Sequence, residues 1–148
     1  MAAAQPIGWF HFADSYLACA EALRRSPPAD LRFDAPVRYL LFHAMELYLK
    51  AFLRLRGIGE DELRSRVLGH NLVALANRAE DLRLTVEESV KEVVADAFLS
   101  DEPIEARYLD VGAKRRLNVD SIYANCDSLR SSVRADFSLA DIATPSRP

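Results

Sequence analysis

Between Ile7 and Arg25 the apolar residues fall at Trp9, Phe12, Ala13, Tyr16, Leu17, Ala20 and Leu23. Steps of three and four place them on one side of a helix. Ser26, Pro27 and Pro28 interrupt the pattern, since proline lacks an amide hydrogen and clashes with the preceding turn. The periodicity resumes near Pro36, whose fixed φ suits a first helical turn, with Asp34 close by as a cap. Val37, Leu41, Ala44, Tyr48, Ala51 and Leu55 then form an apolar stripe. This second helix is expected to reach about Arg56 and to end at Gly57, because glycine adopts the left-handed conformation of a helix terminus without strain.

Beyond a short polar segment, EDELRSRV, Gly69 and His70 open a third run through Leu72, Leu75, Ala76 and Ala79. Thr85 and Glu88 have the spacing of a capping box for a further helix carrying Val86, Val90, Val93, Val94 and Ala97. DEPIEARYLDVGAKRRLN follows as a long connection, of a length that in compact domains is functional or partly extended. Asn118 or Asp120 is placed to cap a last helix with Ile122, Tyr123, Cys126, Leu129 and Val133, and residues 138–148 are expected to fray. No segment alternates as a half-buried strand does. The pattern predicts an all-α fold, an antiparallel bundle of about five helices, as one domain over residues 1–148 with its core at about 7–135.

Composition agrees with a packed domain: half of the residues are hydrophobic and 28% are charged, which argues against disorder. A net charge of −3 gives no general attraction for nucleic acid, so such binding needs a local basic patch. Two basic groups qualify: Arg54, Arg56, Arg64 and Arg66 around Gly57, and the run Lys114, Arg115 and Arg116. Such groups can neutralise phosphates, or simply solvate a surface. Cys19 and Cys126 lie inside apolar helical patterns, far apart and without CxxC spacing, and are expected to be buried free thiols. The opening MAAAQPIGWFHFADSY has neither the basic start nor the apolar core of a signal peptide. No apolar run reaches the ~20 residues of a membrane helix. A cytoplasmic protein with no membrane contact is the expectation.

Candidate chemistry concentrates on the second helix. His43, Glu46 and Lys50 are three and four residues apart, so they share one side. They are either a wetted helix edge with one ion pair, or a partly buried set that meets a polar group from another helix. His70 is the natural partner, at a helix start where unpaired backbone N–H groups favour polar company. His70 in turn either tethers that helix start or does catalytic work. His11, His43 and His70 lack ligand spacing, so neither a metal site nor a cofactor is expected. The chain contains no GxSxG, no HExxH and no phosphate-binding loop with a Gly-Lys pair.

The stretch FHAMELYLKAFLRLRG, a spacer, and then GHNLVALANRAEDL resembles the HEPN domains (higher eukaryotes and prokaryotes nucleotide-binding). The matching residues are Glu46, Lys50, Gly57, His70, Asn71 and Leu72, and EARYLDVG resembles the Arg-Tyr segment before the last helix. The resemblance covers about residues 7–135. It implies a helical bundle that dimerises through its helices. Many members are metal-independent endoribonucleases or toxins of toxin–antitoxin and phage-defence systems. By that resemblance Glu46, Lys50, His70, Asn71, Arg107 and Tyr108 would line a pocket, with Lys50 and Arg107 meeting phosphate and Glu46 and His70 orienting them.

Active members carry Arg, four to six residues, then His, at a place corresponding to Arg107 here. The histidine assists proton transfer from the ribose 2′-OH and the arginine stabilises charge on the phosphate. After Arg107 this chain reads YLDVGAKRRLN, with no histidine. The spacing recurs as Arg38 to His43 on the second helix, where rotation through about 140° would part the two side chains. The expectation is therefore a non-catalytic module, a homodimer binding nucleotide or RNA or a protein encoded in the same operon. The alternative is a toxin ribonuclease using His43 or His70 with Arg38 or Arg107.

Overall fold

A computed structural model describes residues 5–99 and 117–147. In them the chain forms six helices and no strand: α1 (Pro6–Arg25), α2 (Ala35–Leu55), α3 (Glu60–Leu63), α4 (Leu72–Asp81), α5 (Glu88–Leu99) and α6 (Val119–Leu139). The expected all-α bundle is present. Helix α2 is its axis, packed by α1, α6 and α4, while α5 bridges α4 and α6.

Side-chain contacts fix the directions. Phe10 meets Tyr48 and Tyr16 meets His43, so α1 and α2 run antiparallel. Arg24 pairs with Asp120 and Asp14 with Arg130, so α1 and α6 are antiparallel too. Helices α2 and α6 therefore run the same way, with Leu41 beside Cys126 and Arg56 beside Asp136. Helix α4 also follows the direction of α2, since His70 stands at Glu46 and the Leu82 carbonyl at Arg56. Residues 56–71 make this possible by carrying the chain back along α2.

From Leu41 to Leu53 every residue of α2 except His43 is buried. The apolar stripe read from the sequence thus underestimates the burial. Phe42, Met45, Leu49, Phe52 and Leu53 are in the core as well, the condition of a helix packed on most of its sides. On α1 the phase differs from expectation. Phe10 is fully buried beside Tyr48 and Phe137, whereas Phe12 is 64% exposed. Both residues satisfy the spacing around Ala13 and Leu17, and packing selects Phe10.

The helix ends follow local chemistry. Asp34 is the N-cap of α2, but its carboxylate accepts from Arg38 Nε at 3.0 Å and not from the backbone. Gly57, at φ 90°, ends the helix, and Arg54 donates to the Ile58 carbonyl at 2.8 Å across the turn. The polar segment after it contains α3, with Glu60, Asp61 and Glu62 in a first turn that favours negative charge and Leu63 as its buried anchor. Asn71 caps α4 through the Ala74 amide, and Asn118 caps α6 through two amides. Helix α5 begins at Glu88, too late for the capping box expected of Thr85.

The segment after α6 does not fray as expected. Ile142 packs against the core, and side chains of α6 and α1 hold residues 144–147. Free polar groups of Thr144, Pro145 and Arg147 find partners on the bundle, which explains the order.

Candidate functional site

The side chain of Glu46 is the centre of the polar set. The residue is 7% exposed and accepts a hydrogen bond from Lys50 Nζ at 2.7 Å, with Lys50 itself 6% exposed. The Nδ1 atom of His70 lies 2.9 Å from the same carboxylate oxygen. His43 Nδ1 stands 3.8 Å from the other oxygen, an ion-pair distance. Burial on its own would raise the Glu46 pKa. The neighbouring His43, the hydrogen bond and charge of Lys50, and the charge of His70 outweigh it and bring it to about 2. Glu46 is thus ionised at neutral pH and can only accept hydrogen bonds.

That fixes the tautomer of His70. An ionised carboxylate at Nδ1 requires that Nδ1 carry the proton, which leaves Nε2 as the outward edge. The side chain of His70 is 86% exposed, so this edge faces solvent. Its delivery depends on the turn before α4. Asn71 N–H donates to the Leu68 carbonyl at 2.8 Å, and the Leu68 amide to Ser65 Oγ. A Cβ at Gly69 would come within 2.8 Å of the Ser65 carbonyl oxygen, so only glycine lets the chain pass there unshifted. The buried Leu63 and Leu68 seat the turn on the core.

His43 lies between two tyrosines. Tyr16 of α1 presents its ring edge-on at 4.4 Å, and the ring of Tyr39, one turn earlier on α2, lies parallel at 5.9 Å. Phe12 is exposed one turn before Tyr16. The result is an aromatic surface strip beside a buried anion, with one imidazole in the strip and a second at its edge. In the sequence Tyr16 reads as one of the periodic apolar positions of α1 and Tyr39 falls outside the α2 stripe, so neither is marked there as a neighbour of His43.

Other expected residues are placed differently. Arg38 and His43 both lie within α2, and Arg38 is buried with its Nε on Asp34. The structure does not bring the two together. Asn71 serves as a helix cap next to His70. Arg107, Tyr108 and the basic run 114–116 lie outside the described residues. Around Gly57 the arginines have internal partners: Arg54 the Ile58 carbonyl, Arg56 Asp136, and Arg64 Glu60. Two of the four charges in that basic group, those of Arg56 and Arg64, are thus matched by carboxylates of the chain itself.

A second buried cluster had not been anticipated. Arg130 of α6 holds Asp14 of α1 through Nε at 2.7 Å and a terminal nitrogen at 3.2 Å, and the Tyr48 hydroxyl donates to the same carboxylate. Burial and the adjacent Asp14 push the Tyr48 pKa far up, so it stays a donor. The signal was present in Asp14, a charge set beside the apolar stripe of α1, but its partner is remote in sequence. Among the described residues no group of three or more His, Cys, Asp or Glu side chains is arranged for a metal ion. Among them, too, no helix is long and apolar enough to cross a membrane.

No family model, no curated protein and no solved structure matches this chain.

Proposed function

We propose that this chain is a HEPN-like, non-catalytic binding module, a cytoplasmic homodimer that takes the phosphate of a nucleotide or RNA at the surface shared by His70 and His43. The observation that supports this reading is the exposed His70 ring, held through Nδ1 by an ionised, buried Glu46. Held through Nδ1 by the carboxylate, the ring donates from Nε2 to a phosphate oxygen when it takes a second proton as imidazolium, and Tyr16 and Tyr39 beside His43 offer faces on which a base can stack. Lys50 is bound to Glu46, so in this reading it sets the carboxylate and the ligand falls to the histidines. A protein encoded in the same operon is the alternative partner for the same face.

One observation favours the ribonuclease alternative. A carboxylate that orients a histidine and leaves its Nε2 in solvent is the arrangement of a general base. The cluster does not add a free cation for the phosphate, since Lys50 is engaged by Glu46. Anisotropy of a labelled single-stranded RNA at low salt, with chelator present, tests both readings. Weak binding that fades as salt rises and is lost in His70→Ala, with the RNA intact, is the expected result. Cleavage abolished by His70→Ala would replace the binding reading with the nuclease. No binding at all would leave the protein-partner module.

A further inference from the structure

After α6 the chain turns at Asp141, at φ 58°, and the amides of Asp141 and Ile142 bond back to the carbonyls of Ser138 and Phe137. From there the segment 144–147 is held mainly by arginine side chains. Arg134 Nε donates to Thr144 Oγ1 at 3.0 Å, and Arg130 to the Pro145 carbonyl at 2.7 Å. Arg147 reaches in between α1 and α6. Its guanidinium donates to Glu21, to Asp127 Oδ1 at 3.3 Å and to the Tyr123 hydroxyl at 3.3 Å, and its side chain is only 18% exposed. A groove of about 370 Å³ adjoins it along α1, lined by Asp14, Ala18, Glu21, Ala22 and Arg25 and by Ser146 and Arg147 themselves.

We infer that Glu21, Asp127 and Tyr123 form an arginine socket, filled in cis by Arg147, that accepts the arginine of an extended peptide from a partner protein when this segment lifts away. Three features carry the inference. Two carboxylates and a phenol oxygen surround a planar guanidinium with acceptors on more than one edge, a geometry that ammonium cannot satisfy equally. The occupant is already a short irregular peptide, seated by guanidinium donors of Arg130 and Arg134 that a peptide of the same chemistry can engage in its place. The adjoining groove has room for residues flanking the arginine, because Ala18 and Ala22 leave the surface of α1 low. The socket is separate from the His43–His70 face and does not depend on what that face binds.

The test uses the full chain, isotope-labelled, with Arg147→Ala to empty the socket. The probe is a capped peptide of sequence IATPSRP, which matches residues 142–148. Saturable shifts at Glu21, Tyr123 and Asp127 are expected, at least tenfold tighter than for the wild-type chain. A peptide with lysine in place of the arginine should bind several-fold more weakly, and one with alanine should not bind. Adding Glu21→Gln and Asp127→Asn to the variant should remove the binding. The wild-type chain gives an independent reading should Arg147→Ala be poorly folded. Excess arginine peptide should displace residues 144–147, seen as their amide signals moving to free-peptide positions, while the alanine peptide leaves them in place. Equal binding of the arginine and alanine peptides, or no displacement in the wild-type chain, would overturn the inference.

Discussion

Replacing Glu46 tests the organisation of the histidine face at its centre. Glu46→Leu leaves Lys50 with 8% of its side chain exposed and no counter-ion, and leaves His70 without its anchor. Removing one partner of a buried pair costs about 3–5 kcal/mol. The protonation of Glu46 gives a second measure. Its pKa falls from 4.5 to about 2, which corresponds to about 3 kcal/mol of folding stability at neutral pH. The sign follows from the depressed pKa: this stability is complete above the unfolded value near 4.5 and is lost as pH falls through the folded value near 2. By pH 3 about 2 kcal/mol of it should be gone. Urea unfolding followed by circular dichroism at pH 7 and pH 3 measures this. The wild-type chain should lose about 2 kcal/mol more than Glu46→Gln between those two pH values. The double variant Glu46→Leu, Lys50→Leu should recover most of the loss seen in Glu46→Leu, since an apolar pair of similar volume is often as stable as the ions. Parallel pH profiles for wild type and Glu46→Gln, or a Glu46→Leu chain as stable as wild type, would show that Glu46 is not a buried, ionised anchor of this face.

Tyr48→Phe removes the hydroxyl bond to Asp14 while leaving Asp14 on Arg130, and should cost about 1 kcal/mol in urea unfolding. Tyr48→Asp puts a charge in a fully buried position and should cost several times more, about 3–5 kcal/mol. Gly69→Ala forces the turn away from the Ser65 carbonyl and should release His70 from Glu46, seen as His70 ring resonances that no longer respond to Glu46→Gln. Cys126 is buried as expected, but Cys19 is exposed, turned off the buried face of α1 that Leu17 and Ala20 occupy. In the native chain a thiol reagent should therefore modify Cys19 quickly and Cys126 only on unfolding. Burial and the charge of Asp127 push the Cys126 thiol well up, against the thiolate that reacts. Equal rates for both would contradict the burial of Cys126.

The polar stripe of α2 was legible because residues three and four apart stack on a helix whatever surrounds it. The meeting of Glu46 with His70 was legible for a related reason, since a histidine at a helix start must find company. The burial of Lys50 was not, because it depends on α1, α4 and α6 closing around α2. Phe10 and Phe12 show the limit of periodicity, as each continues the same spacing and only packing against Tyr48 and Phe137 separates them. Asp14 and Arg130 could not be paired from the sequence, since 116 positions separate them. The segment after α6 looked polar and unattached, and the carboxylates that hold Arg147 belong to two different helices.

The central proposal is that a phosphate-bearing ligand sits at the exposed edge of His70. Imidazole-ring resonances of the labelled full chain, followed while a short single-stranded RNA is added at low salt, test it most directly. Saturable shifts at His70 and His43 and in the Tyr39 ring are expected, reversed by added salt, with those at His43 and Tyr39 absent in His70→Ala. RNA that binds while leaving the His70 and His43 rings unmoved would contradict it.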